Sequence, residues 1–273
     1  MPTAPLQRQD NAFGHLLQHW RRTRGKSQLG LALDAQVSPR HVSFVETGRS
    51  SPSREMVLTL ANALNVPLRE QNALLLAAGY APAYRETRLD APELEPARRA
   101  LELILGHQEP HPAVVMNRHW DIVSANRAAQ RFFALLLADS DLAENERGNV
   151  VRLMFDPRGL RPHVSNWESV AEGLIQRVHR EAVGGLLDSA SNQLIKEVLA
   201  YPDVPQRWRT PDLGVPLAPF IPVAFQKGEL AMRYFSTVTT LGTPQDITLQ
   251  ELRVECFFPA DAETERRADL HFR

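Results

Sequence analysis

Histidines, carboxylates and one thiol are the side chains of this sequence that could do covalent or metal chemistry, and their spacing assembles no such site. His15 and His19 fall four apart, one helical turn, where two imidazoles can share a metal ion, but no carboxylate or cysteine nearby completes the set. His107 and His111 straddle a proline-bearing turn and do no better. Cys256, the lone cysteine, stands in a stretch of alternating polarity and reads as a small buried hydrophobe; a single thiol makes neither an intramolecular disulfide nor a zinc knuckle. Gly184-Gly185 lacks the strand–loop–helix setting of a phosphate loop. No Ser/His/Asp or Cys/His pattern is present, so no catalytic residue, no metal and no resident cofactor is expected. What the spacing does support is non-covalent recognition. The stretch Lys26-Ser-Gln-Leu-Gly-Leu-Ala-Leu-Asp-Ala-Gln-Val-Ser-Pro-Arg-His-Val-Ser-Phe-Val-Glu-Thr-Gly48 places apolar Leu31, Ala32, Val37, Val42 and Val45 where two short helices would meet at a steep angle. Small Ala32 allows close approach, and the second helix is then carried outward on a three- or four-residue turn, shaped to enter a groove about 12 Å wide.

The elements that must hold this stretch are legible around it. Phe13, Leu16, Leu17 and Trp20 recur at helical spacing and end in Arg21-Arg22-Thr23-Arg24 before Gly25. Further helices are predicted at 28–35, 39–47, 54–64 and 68–78, with Ser27, Ser38 and Ser53 as N-caps and Pro39 at a first helical position. Residues 12–80 thus form a five-helix all-α unit, after a polar tail over 1–11 expected to be disordered. Ala81–Pro96, with prolines at 82, 92 and 96, is a linker. A second domain over 97–262 is α+β: a helix near Ala97, strands at Ala113–Met116 and Trp120–Ser124, helices at 126–137, 168–183 and 187–200, then strands Phe220–Gln226, Leu230–Thr240 and Leu249–Phe258, with a hairpin at Lys227-Gly228-Glu229. Residues 263–273 are expected to be a C-terminal tail.

Charge is divided between the two parts. The chain of 273 residues is 43% hydrophobic with a net charge of −1, yet residues 1–85 hold ten Lys/Arg against five Asp/Glu and residues 86–273 hold 21 against 27. A basic front on an acidic body suits one domain facing phosphate and another that does not. With no apolar leader at the N-terminus and no run of 18 apolar residues, the expectation is a soluble cytoplasmic protein without a membrane span.

Across residues 13–78 the sequence resembles the phage-repressor (XRE/Cro) class of helix-turn-helix domains, a lambda-repressor-like fold. Ser53-Arg-Glu-Met-Val-Leu-Thr-Leu-Ala-Asn-Ala-Leu-Asn-Val66 matches that class's fourth helix. The resemblance implies binding to double-stranded DNA and gives roles to positions. Gln28 would contact phosphate and brace a base-reading neighbour. Pro39, Arg40, His41, Ser43 and Phe44 would form the outward face of the recognition helix, with Arg40 donating two bonds to guanine and Phe44 touching a thymine methyl. Lys26, Arg49 and Arg54 would neutralise phosphates. Arg21 and Glu46 match a buried structural ion pair. Pro39 stands where repressors often carry a base-reading amide.

The likeness continues along the chain. Ser38-Pro-Arg-His-Val-Ser-Phe-Val-Glu-Thr-Gly-Arg49 and Asn72-Ala-Leu-Leu-Leu-Ala-Ala-Gly-Tyr-Ala-Pro82 resemble the MmyB-like subfamily. So do Asn117-Arg-His-Trp-Asp-Ile-Val-Ser-Ala-Asn-Arg-Ala-Ala129, Gly159-Leu-Arg-Pro162, Asn166-Trp-Glu168, Thr237-Val-Thr-Thr-Leu-Gly-Thr-Pro244 and Phe257-Phe-Pro-Ala-Asp261. That resemblance implies a PAS-like ligand-binding domain with an antiparallel sheet, accommodating a small apolar, fatty-acid-like molecule. Trp120, Phe132, Phe133, Leu153, Phe155, Trp167, Leu174, Phe235 and Phe257 are apolar candidates for a pocket wall. Arg161, His163, Asn166 and Arg177 are polar candidates, an arginine being suited to a carboxylate. The implied protein is a homodimer on a pseudo-palindromic operator, its affinity modulated by ligand. Two other readings stand beside it: a second domain that is a protein-interaction module without ligand, and one that performs chemistry.

Overall fold

The computed structural model describes residues 11–143, 146–184, 189–210, 222–242 and 244–272, the side chains of 182–184 excepted. The expected tail over 1–11, Gly185, Phe220 and the first residues of the 187–200 helix therefore lie wholly or mostly outside the described residues. The chain divides into two compact units, Met1–Glu86 with Gln245–Gln250, and Thr87–Pro244 with Glu251–Arg273.

The first unit is built from α1 (Ala12–Thr23), α2 (Gln28–Asp34), α3 (Pro39–Glu46), α4 (Arg54–Ala63) and α5 (Leu68–Ala77). Three of these start as the sequence prescribes. Ser27 accepts from Gly30 N (2.9 Å), Ser38 from His41 N (3.1 Å) and Ser53 from Met56 N (3.2 Å), each satisfying an N–H that a helix cannot bond internally. Asn11 does the same for α1 and also donates to the Glu46 carbonyl at 2.7 Å. Gly14 is required there, because a Cβ would lie 2.5 Å from the Glu46 carbonyl oxygen. The core gathers Leu17, Trp20, Leu31, Ala32, Val42, Val45, Val57, Leu60, Leu64, Leu74 and Leu75.

The second unit carries a five-stranded sheet: β1 (Ala113–Met116), β2 (Ile122–Ala125), β3 (Pro222–Lys227), β4 (Leu230–Thr239) and β5 (Arg253–Pro259), all antiparallel in the order β2-β1-β5-β4-β3. Its helices are α6 (Glu95–His107), α7 (Arg127–Leu136), α8 (Val150–Phe155), α9 (Trp167–Gly184), α10 (Ser189–Val198) and α12 (Ala262–Phe272), while the short α11 (Ile247–Glu251) falls, but for its last residue, in the segment that belongs to the first unit. Pairing sets the faces. Glu255 pairs with Val114 on one side and Val238 on the other, and Ser236 pairs with Phe257, so these side chains share one face with Val223 and Phe225. The main core joins that face to α7, α8, α9, α10 and α12. Ala113, Val115, Val254 and Cys256 point to the reverse face, and α6 packs on β1.

Two expectations change. The strand placed at Leu249–Phe258 begins only at Arg253, because Asp246 accepts from Thr248 N (2.9 Å) and starts α11. The stretch 263–272, expected as a tail, is the helix α12. Asp261 caps it through Thr264 N (2.7 Å), Glu263 and Glu265 sit in its first turn, and Ala268 and Phe272 enter the core. Among the described residues no helix is long and apolar enough to cross a membrane.

Candidate functional site

In the first unit, α3 turns Val42, Val45 and Glu46 inward. Pro39 and Arg40 are exposed, and His41, Ser43 and Phe44 partly exposed, so positions 39, 40, 43 and 44 make one outward strip. The Arg40 guanidinium lies 5.0 Å from the centre of the Phe44 ring and that of Arg49 5.9 Å, so the aromatic ring steadies two cations at the edge of the strip. Arg40, Arg49 and Arg54 are exposed and pair with no carboxylate among the described residues.

The inner end of α3 is fixed by Arg21 and Glu46. Arg21 Nε donates to Glu46 Oε1 (2.6 Å), Nη2 to Oε2 (3.0 Å), and Nη1 to the Lys26 carbonyl (2.8 Å). Burial by itself would raise the Glu46 carboxyl, but the bonds from Arg21 and Gln28 and the Arg21 charge outweigh it and hold the group below its ordinary range. Gln28 Nε2 makes its bond to Glu46 Oε2 at 2.7 Å, which commits this amide nitrogen to the ion pair. Lys26 also differs from the phosphate role foreseen for it: its ammonium pairs with Asp34 and donates to the Ala63 carbonyl (3.1 Å). The carboxylate that captures it, Asp34, is the last residue of α2.

The second unit contains an apolar hollow of about 440 Å³. One wall is the sheet face of Val114, Val223, Phe225, Ser236, Val238, Glu255 and Phe257; the opposite wall is Ser169, Val170, Gly173, Leu174 and Arg177, a single stripe of α9. Val150, Leu153, Met154 and Leu160 close one side, and Phe133 and Trp120 complete the lining. Trp120 has φ +68°, a left-handed conformation costly for a bulky residue. Asn117 enforces it by accepting from His119 N (2.8 Å) and Asp121 N (3.0 Å). The indole, 2% exposed, is flanked by Arg177 at 5.0 Å and Arg253 at 4.9 Å.

Of the residues foreseen for the pocket, Trp120, Phe133, Leu153, Leu174, Phe257 and Arg177 line the hollow; the others stand elsewhere. Phe132 packs edge-on against Phe225 and Phe272, and Phe155 against Trp167 and Trp208. Trp167 donates to the Met154 carbonyl (2.7 Å), and Arg161 stacks on its ring at 4.0 Å while bonding the Pro202 carbonyl (2.6 Å). Asn166 bonds the Pro222 carbonyl (2.8 Å) and Ala224 N (3.0 Å), stapling the start of α9 to β3. His163 sits near Lys227, and burial with that positive charge lowers its imidazole. Phe235 stacks on Phe258 on the reverse face. The missed residues, chiefly Glu255, Ser236 and Val238, betray themselves only through strand alternation once pairing is known.

A second cleft, about 500 Å³, lies beside Asp121, Asn149, Arg152, Asp156, Glu197 and Tyr201. Its charges are matched, Arg152 to Glu197 (2.8 Å), Asp156 to Arg158 (2.9 Å) and Asn149 to Asp121 (2.7 Å), and the Tyr201 phenol is pushed up to about 12 by burial and Asp156. Such mutual satisfaction makes it a structural seam. Among the described residues no group of three or more His, Cys, Asp or Glu could hold a metal.

Residues 97–270 match the family model described as the MmyB-like transcription regulator ligand binding domain, and residues 12–74 match a helix-turn-helix domain. No curated protein matches the chain. One similar solved structure, described as an RNA-binding light-oxygen-voltage receptor, is 12% identical, covering 96% of this chain and 62% of that one, with a TM-score of 0.26. The chain thus spans less than two thirds of that protein's length, and a likeness at this level carries no weight.

Proposed function

The chain belongs to the MmyB-like transcription regulators, DNA-binding proteins with a ligand-sensing domain, and from that premise we propose that it reads a pseudo-palindromic operator as a homodimer under the control of a small apolar, fatty-acid-like ligand. Two α3 helices related by a two-fold axis would enter successive major grooves about 34 Å apart. Arg40 would read guanine while Arg49 and Arg54 hold phosphates. The observation that carries the ligand reading is the hollow of about 440 Å³, walled by one stripe of α9 and one face of the sheet and lined mostly by apolar side chains, as expected of a PAS-like sensor. A solid interior would instead have favoured a protein-interaction module. The ligand shifts operator affinity only by its difference in affinity for the DNA-competent and incompetent states, and DNA shifts ligand affinity by the same factor.

The test is mass spectrometry of small molecules released from the purified full chain. It is followed by titration of the recovered molecule against an operator fragment at fixed salt. An acyl amphiphile released in stoichiometric amount, changing operator affinity at least fivefold, is the expected result; operator binding indifferent to every hollow-binding molecule refutes the switch.

A further inference from the structure

Four helices of the first unit are started by a side chain of their own. Asn11, Ser27, Ser38 and Ser53 each accept from the N–H three residues on, whereas α5 follows Pro67, which offers no side-chain acceptor. The acceptor for its first N–H comes from 182 positions along the chain: Leu68 N donates to Gln250 Oε1 at 2.7 Å.

A second fastening sets Gln250 there. Arg85 and Asp246 form a parallel bridge, and Ile247 N donates to the Arg85 carbonyl at 2.9 Å. Arg85 is itself on a firm base, because Asn72 of α5 accepts from Ala83 N (2.9 Å) and Tyr84 N (3.1 Å) and donates to the Tyr84 carbonyl (2.8 Å). One turn of α11 then spans from Asp246 to Gln250, whose N–H donates to the Asp246 carbonyl (3.1 Å), with Ile247 buried between them. Residues 245–250 therefore belong to the first unit, although they lie in the connection from β4 to β5.

That connection is short on the β5 side. Only Glu251 and Leu252 separate Gln250 from Arg253, where β5 begins, and Glu251 pairs with Arg118 (3.1 Å), two residues before Trp120. Ser236 and Val238 of β4, Glu255 and Phe257 of β5, and Trp120 all line the hollow. The segment that caps α5 is thus strung between the strands that wall the hollow.

We propose that residues 245–250 are a clasp through which the second unit governs the first: a shift of β4 and β5 as the hollow fills moves Gln250 and sets whether α5 keeps its cap. A single cap is weak enough to open without unfolding the domain. Helix α5 packs on α1 and α4, and α1 carries the Arg21 that fixes the end of α3, so the order of α5 bears on the recognition helix. The clasp stands on its own geometry; its control from the hollow rests on the apolar-ligand reading above and names the element that carries the switch.

The experiment is amide hydrogen exchange of the full chain, followed by NMR at Leu68, with the amides of β1 and β5 as the reference for a folded protein. Octanol is the probe of the hollow, and calorimetry reads its binding. Gln250→Met, similar in size but without the oxygen acceptor, should speed exchange at Leu68 by about three- to tenfold and leave octanol affinity unchanged. Saturating octanol should change Leu68 exchange by at least about threefold in the wild type and have no such effect in Gln250→Met. Leu174→Trp, which puts an indole in the same space, should act on Leu68 as octanol does. Leu68 exchange untouched by Gln250→Met overturns the clasp. Exchange that responds to Gln250→Met but ignores both bound octanol and Leu174→Trp overturns its control from the hollow. Octanol that fails to bind counts against the apolar-ligand reading alone, and the response to Leu174→Trp then decides the control.

Discussion

Replacing Glu46 by Gln keeps the shape of the side chain and removes its charge, and its effect can be worked from the structure. Glu46 is 1% exposed as a side chain and Arg21 10%, and the carboxylate accepts at 2.6 and 3.0 Å from Arg21 and at 2.7 Å from Gln28. The variant leaves the Arg21 guanidinium buried with no counter-charge, a change that typically costs about 3–5 kcal/mol. For a domain of this size each kcal/mol moves the melting temperature by roughly 4–8 °C, so a loss of about 12–40 °C is expected for the first unit. The doubly apolar variant Arg21→Met with Glu46→Leu should recover most of that, because neither desolvated charge remains. The carboxyl also titrates below its unfolded value of about 4.3, so its contribution is complete above that pH and is lost as pH falls through the lower folded value. Differential scanning calorimetry of the full chain, with circular dichroism at 222 nm, reads these shifts. A loss under about 1 kcal/mol in Glu46→Gln, or a double variant no better than the single, would refute the reasoning.

Four further outcomes follow from the geometry. Against a selected operator, Arg40→Ala should cost about 1–3 kcal/mol and relax preference at one base position, read by competition binding with single-base variants. Arg54→Ala should weaken all sequences alike and reduce the salt slope by about one, whereas Lys26→Met, whose ammonium is already held by Asp34, should barely alter it. Leu174→Trp, projecting from α9 into the hollow, should abolish ligand binding while the melting temperature moves by only a few degrees, since the indole enters space that a packed core would lack. In the second unit, burial lowers His111 despite Glu265 and Asp269, and lowers His163 beside Lys227; each unfolded histidine then takes its proton first. Stability should be full above about pH 6.5 and decline as pH falls through that value, visible as a falling urea midpoint between pH 7.5 and 5.5.

The two halves differ in how far their sites could be read from the residues. Helices α2 to α4 are specified locally: a serine cap on each, a proline in the first turn of α3 and an apolar repeat of 3.6 residues fix them within a residue or two of their positions in the structure. The outward strip of α3 then follows from which of its residues the repeat turns inward. What local signals could not show is where long side chains terminate. Lys26 and Gln28 lie at the border of α3 as the resemblance required, yet Asp34 holds one and Glu46 the other. Helix α12 carried its signals, Asp261 as cap and two glutamates in the first turn, but its predominantly polar composition hid the few apolar residues that reach the core.

The hollow posed a harder problem because its walls are non-local. Ser236, Glu255 and Val114 come together through β1, β4 and β5, whose register depends on pairing across more than a hundred residues. Aromatic content was a poor guide there. Phe132 packs in the core against Phe225, and Phe155 against Trp167, instead of lining the hollow. Trp120 is the informative exception, since the Asn117 turn forces it into a left-handed conformation that a smaller residue, or a glycine, would adopt at less cost. Strain of that kind persists only where surrounding contacts over-determine it. Here those contacts are Arg177 and Arg253, the two guanidiniums that share Glu181 at the polar end of the hollow. The strained indole and the charge cluster are therefore one feature: the ring and the guanidiniums of Arg177 and Arg253 fix one another, with Glu181 paired to both.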